Sequence, residues 1–321
     1  MSRGKGIPMT VQELLNLFDQ SCRRCVLIGD ETNGVVAGLD LEGRLFTFLN
    51  GDVVSRVNPE AFLNITTAAE YLNPGGDGLW PAPEGSLFGY EYSTPDWRVP
   101  PGLSGARFWV AESASGHARI RAEIDLINSR GRGIPTAFGR DISASEDKGV
   151  LTVTVKETIE YLGKDELGPE ECLLAPWSLC QFDSGPGCCV TFPIANASDV
   201  WDLYDPSTDQ RTCTDGICCT RTDGQSDRYQ IGLAPTVDWL EYVNPQCGLR
   251  VRRTAEPLAQ GLDYIDITDR PPMDSPDDRG IRFSVYSDPS CFMEIEAAGG
   301  APRIWRPGTS STVTVHTIYS R

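Results

Sequence analysis

Residues 26–50 read VLIGDETNGVVAGLDLEGRLFTFLN, and the reading of this stretch decides the fold. Short runs rich in Val, Leu, Ile and Phe at 25–30, 34–39, 44–49 and 52–57 are separated by Asn33-Gly34, Glu42-Gly43 and Asn50-Gly51. Asn-Gly pairs enter the left-handed region at little cost, so they reverse an extended chain tightly. The rhythm is that of an antiparallel meander. Working outward, similar runs recur at 106–112, 117–128, 149–161, 172–182, 188–193, 229–233, 238–244, 249–254, 264–268, 281–286, 291–297 and 311–319. Helix signals are scarce. Thr10 and Glu13 form a capping box ahead of Val11, Leu14, Leu15 and Phe18 at helical spacing, which predicts one short helix.

Many strands, abundant Gly and Pro, and no strand–helix alternation predict an all-β fold of antiparallel sheets packed face to face. Residues 1–321 are expected to form a single domain, with 1–21 as an N-terminal extension carrying the helix. The polar stretches 220–228 and 270–279 read as surface loops. Lys and Arg total 28 against 45 for Asp and Glu, a formal charge of -17, so phosphate backbones and anionic membrane surfaces are repelled. Neither nucleic acid nor a membrane is an expected partner. No window is long and apolar enough to span a bilayer and residues 1–8 lack the apolar core of a secretory signal, so the expected location is cytoplasmic. The sequence leaves the oligomeric state open.

Eleven cysteines qualify that picture, seven of them between Cys172 and Cys219. The adjacent pairs Cys188-Cys189 and Cys218-Cys219 are poorly placed to share one tetrahedral ion, and His117 and His316 are the only histidines. Reduced cysteines acting as small hydrophobes are the main expectation, with one or two disulfides or a metal as the lesser alternative. No metal site and no cofactor are expected, since no phosphate loop, dinucleotide fingerprint or metalloprotease helix is present.

Residues 73–84, NPGGDGLWPAPE, read as an ordered loop rather than a central strand, because paired glycines and three prolines leave little backbone to pair. Asn73, Asp77 and Trp80 put an apolar ring face beside hydrogen-bonding groups, the combination a sugar requires. The plainer alternative is a Trp that plugs the end of a sandwich. A second aromatic loop, 90–98, carries Trp97 and Arg98.

The order of segments resembles the aldose 1-epimerase (galactose mutarotase-like) superfamily. Residues 26–50 are similar to its first strands, NPGGDGLWPAPEG (73–85) to the Gly-Gly loop at its sugar cleft, and ECLLAPWSLCQF (171–182) with GCCVTFP (187–193) to its central hairpin. CFMEIEAAGGAPRIWRPGTSSTVTVHTIY (291–319) resembles its closing Glu-bearing strand and last strand. The resemblance implies a β supersandwich with a carbohydrate cleft, a small-molecule carbohydrate as partner, and a catalytic Glu base at Glu294 or Glu296.

Alternation along 291–296 puts Phe292, Glu294 and Glu296 on one face and Met293 and Ile295 on the other. If the apolar pair faces the core, both carboxylates face the cleft; otherwise they are ordinary surface glutamates. On 171–182, Trp177 and Gln181 share a face and either offer a ligand a stacking ring and an amide or serve as core and edge residues. Arg228 and Trp239 complete the expected binding set, and Gln230 stands where the family usually carries Lys. The family's acid, a His on the central strands, has no counterpart here. A carbohydrate-binding protein with mutarotase or epimerase chemistry is thus the first reading and a non-catalytic sugar-binding module the second. The two carboxylates also leave open a glycoside hydrolase or lyase.

Overall fold

The runs at the start of the chain pair as a meander, Cys25–Gly29 with Gly34–Gly38 and that strand with Arg44–Leu49. The computed structural model describes residues 9–67, 70–86, 99–224, 228–271 and 273–321. Among the described residues the strands form two ten-stranded sheets and a ribbon of Leu262–Tyr264 with Gly300–Pro302. In spatial order the first sheet runs Cys25–Gly29, Gly34–Gly38, Arg44–Leu49, Asp77–Ala82, Ala175–Asp183, Phe292–Ala298, Phe283–Asp288, Tyr229–Leu233 and Val200–Asp202, with Asp52–Val53 beside Arg44–Leu49. The second runs Arg211–Thr214, Ile217–Arg221, Cys189–Pro193, Trp239–Asn244, Leu249–Ala255, Ser310–Ser320, Val150–Tyr161, Gly133–Asp147, His117–Ile127 and Trp109–Ala114. One apolar core draws on both sheets, from Leu79, Cys180 and Ile295 on the first to Phe138, Val153 and Val315 on the second.

The expected helix forms at Val11–Gln20 with its capping box in place. Its apolar stripe and the short helix Pro59–Leu63 cover Val36, Phe46 and Phe48 on the side of the first sheet turned away from the second. No described helix is long and apolar enough to cross a membrane.

Three expectations are corrected. First, the segment taken as a loop contains the strand Asp77–Ala82, buried throughout and central in its sheet. Its prolines are tolerated because full pairing is one-sided. The strand is matched with Ala175–Asp183 from Asp77 to Ala82, whereas on the other edge only Asp77 pairs, with Leu45. Beyond Asp77 that edge asks for no donor, so Pro81 removes none. The turn before it needs its glycines. Gly75 and Gly76 have φ of 86° and 73°, and a Cβ there would lie 2.2 Å from the Arg56 carbonyl oxygen and 2.7 Å from that of Leu45.

Second, the fifteen-residue strand Gly133–Asp147 has no counterpart in the sequence reading. Pro135, Gly139 and Arg140 break its apolar pattern, yet Ile134, Thr136, Phe138, Arg140 and Ile142 alternate inward. Third, Cys213 and Cys218 form a disulfide across the hairpin of Arg211–Thr214 and Ile217–Arg221. The other nine cysteines are free thiols, and burial pushes those of Cys172 and Cys180 up to about 12.

Arg140 belongs to a charged cluster sealed between the sheets. It donates to Asp77 and, at 2.6 Å and 3.0 Å, to the two oxygens of Glu157, while Arg253 donates to Asp77 at 2.8 Å and to the Ser178 hydroxyl at 2.6 Å. Two guanidiniums thus face two carboxylates. Burial alone would raise the Asp77 pKa, but Arg253 and Arg140 outweigh it and hold Asp77 below its usual value. Removing one member of such a buried cluster strands the others, so Asp77→Ala is expected to cost about 3–5 kcal/mol of unfolding free energy in urea titrations. A loss below about 1 kcal/mol would show that the cluster is not sealed from water.

Candidate functional site

Strand alternation leaves one face of the first sheet turned away from the second. Where the helices stop covering it, it lines a shallow hollow that is enclosed over only about 70 Å³ and is otherwise open to solvent. The floor is read across the strand registers. Trp177 lies opposite Trp80 and Ala298, Leu179 opposite Gly78 and Glu296, and Gln181 opposite Glu294. Glu294 in turn lies opposite Tyr286, and Tyr286 opposite Gln230. Residues from five strands therefore converge because every second position points the same way. Arg44 joins them from Arg44–Leu49, and Glu84, Tyr204, Arg228 and Asp269 contribute from the connecting segments.

The two carboxyl groups sit side by side, close enough for each to act on the other's ionisation. Glu296 is fully buried and accepts from the Trp177 indole at 3.2 Å and from the Gln230 amide at 2.9 Å. Glu294 accepts from the Gln181 amide and keeps 7 % of its surface exposed, so it is the member that reaches a guest in the hollow. Burial and then the charge of Glu296 push the Glu294 carboxyl well above its ordinary range, with Arg44 and Gln181 opposing. Burial also raises Glu296, against the hydrogen bonds it accepts. Two adjacent buried carboxyls oppose each other's ionisation, so the pair gives up its protons less readily than two separate carboxyls would.

Arg44 is fixed by its neighbours. Its Nε and Nη2 donate to Glu42 at 3.0 Å and 2.9 Å, Nη2 also donates to the Tyr71 hydroxyl at 2.9 Å, and that hydroxyl donates to Glu42 at 2.8 Å. The guanidinium lies 5.7 Å from the Trp80 ring centre. At the rim, Arg228 packs 5.3 Å from the Tyr204 ring centre.

Of the residues expected to bind or react, the structure brings together Trp80, Trp177, Gln181, Glu294 and Glu296, with Arg228 at the edge. Asp77 does not join them. Its strand neighbours Gly78 and Trp80 face the hollow, so alternation turns Asp77 into the charged cluster between the sheets. Asn73 instead closes a turn, its side-chain oxygen accepting from the Gly75 amide at 3.0 Å. Trp239 lies on the second sheet, its ring 4.1 Å from the Arg252 guanidinium, and does not line the hollow. Trp97 and Arg98 lie outside the described residues. Both histidines belong to the second sheet, His117 against Asp141 and His316 against Thr154. Arg44, Tyr204 and Tyr286 were missed. A charge opening the otherwise apolar run Arg44–Leu49 is the signal that marks Arg44.

Neither a protein-family model nor a curated protein matches the chain. Solved structures do. The Slr1438 protein of Synechocystis sp. PCC 6803 superposes with a TM-score of 0.58 at 11% identity, covering 92% of this chain and 96% of its own. A galactose mutarotase-like protein from Clostridium acetobutylicum gives 0.56 at 9% identity, covering 93% and 96%. The fold is galactose mutarotase-like. A further galactose mutarotase-like protein, from Lactobacillus casei, is matched at a TM-score of 0.50 and 9% identity over 92% of this chain and all of that one. Such identities fix the mutarotase-like architecture and leave the chemistry to the residues of this hollow.

A pKa raised on folding means that the folded state holds the proton more tightly than the unfolded one. Glu294 therefore stabilises the fold below its unfolded value and loses that contribution as pH rises toward its folded value. Glu294→Gln is expected to flatten the fall in melting temperature between pH 5 and pH 8 relative to the parent. Parallel melting curves for the two proteins across that range would show that Glu294 is ionised throughout.

Proposed function

We propose that the hollow binds a carbohydrate and that the carboxyl pair interconverts its anomers. The supporting observation is the meeting, on one floor, of two indoles with two adjacent buried carboxyls; in this reading the pair works with one proton between them. Indole faces suit the C–H side of a sugar ring, and the acid and amide groups suit its hydroxyls. Mutarotation takes the proton of the anomeric hydroxyl and gives one to the ring oxygen as the C1–O5 bond breaks and the carbonyl forms. A pair that gives one proton and receives one ends as it began, and reclosure on the other face reverses the transfers. Glu294, nearer the open side, is the group placed to meet the sugar. Glu296, saturated by Trp177 and Gln230, tunes it.

A non-catalytic sugar-binding module is the second reading, favoured by the absence of histidine from the hollow. A hydrolase is disfavoured, because its two carboxyls flank the scissile bond from opposite sides, whereas these two are same-face neighbours on one strand.

Freshly dissolved α-anomers of several aldoses, followed by optical rotation, test the proposal. Acceleration by the parent that falls at least about a hundredfold in Glu294→Gln is expected. Saturable binding with an unchanged equilibration rate would select the binding module instead.

A further inference from the structure

Two buried polar atoms of opposite sense in the hollow have no hydrogen-bond partner among the described residues: the donor Nη1 of Arg44 and the acceptor Oε1 of Gln181. Arg44 is 0% and Gln181 2% exposed. Each side chain is otherwise committed, Arg44 to Glu42 and Tyr71, Gln181 through its amide nitrogen to Glu294. Neither can turn to satisfy the spare atom without giving up those bonds. Leaving a buried donor or acceptor unpaired is costly, so two of opposite sense lining one open hollow mark a place where a guest supplies the partners.

Gly78 makes this arrangement possible. It lies opposite Leu179 on the floor, and a Cβ there would stand 2.6 Å from Arg44 Nη1 and 2.8 Å from Cζ. Any side chain at 78 would push the guanidinium off the floor.

Resting on the carbohydrate reading above, we infer that Arg44 and Gln181 form a hydroxyl-reading subsite, with Gly78 as its positioning residue, that selects an uncharged polyol edge over a phosphate or carboxylate. Arg44 Nη1 gives a hydrogen bond to one hydroxyl oxygen, and Gln181 Oε1 takes one from a hydroxyl proton. An ionised group could accept from Arg44 but has no proton for Gln181. It would also meet a hollow with no cationic surplus, since Glu42 offsets Arg44 on the floor and Glu84 and Asp269 outnumber Arg228 at the rim.

The test is calorimetric titration of the intact protein with D-galactose and D-glucose, their 6-phosphates and uronic acids, and their singly deoxygenated analogues. The neutral sugars are expected to bind at least about tenfold tighter than the anionic forms, and at least one deoxy analogue to lose about tenfold or more. Gly78→Ala is expected to weaken neutral-sugar binding about tenfold in the parent and less than about twofold in Glu42→Gln/Arg44→Met, where no guanidinium is left to displace. If neutral sugars bind but every deoxy analogue matches its parent, or the anionic forms bind equally well, the subsite is wrong and the carbohydrate reading survives. The deoxy series uses the native chain, so poor folding of a variant does not blunt it. If no sugar binds at all, both fall together.

Discussion

The site depends on two carboxyl groups held against each other away from water. Glu294 and Glu296 are two residues apart on one strand, so the pleat puts them on the same face, and burial denies both the solvation that would let them ionise independently. Everything around them answers that constraint. Trp177, Gln230 and Gln181 direct N–H groups at the pair, and Arg44 supplies a nearby positive charge already offset by Glu42. With both ionised, the floor would carry two like charges side by side, which is why burial and their mutual repulsion push Glu294 upward.

The other face of the same strands solves a different electrostatic problem. Asp77, Arg140, Glu157 and Arg253 offset one another between the sheets, and Ser178 and backbone carbonyls add hydrogen bonds to them. Such a cluster is a weak source of net stability, but it ties Asp77–Ala82 and Ala175–Asp183 of the first sheet to Gly133–Asp147 and Leu249–Ala255 of the second. Those first two strands carry Trp80, Trp177 and Gln181 on their opposite face. The cluster thereby sets the depth and register at which the hollow's floor is presented.

The sequence shows the sandwich through its turn-separated runs, and alternation along 291–296 places Glu294 and Glu296 correctly because Met293 and Ile295 do seek the core. Trp177 and Gln181 follow from the same period. The failures are physical. Prolines in 73–84 hide a strand, since one-sided pairing beyond Asp77 cannot be read locally, and that error aims Asp77 at a ligand rather than at Arg140 and Arg253. Arg140 disguises Gly133–Asp147 because its inward charge is matched only by residues distant in sequence. Trp239 carries the same local signal as Trp177, and only the sheet order separates them.

The most direct measurement of the central claim is a ¹⁵N-indole NMR titration of the intact protein with D-galactose. The account predicts saturable shifts at the Nε1–H resonances of Trp80 and Trp177, assigned by Trp→Phe substitution, with Trp109 and Trp239 unmoved. Shifts confined to Trp109 or Trp239, or none anywhere at saturating sugar, would contradict it.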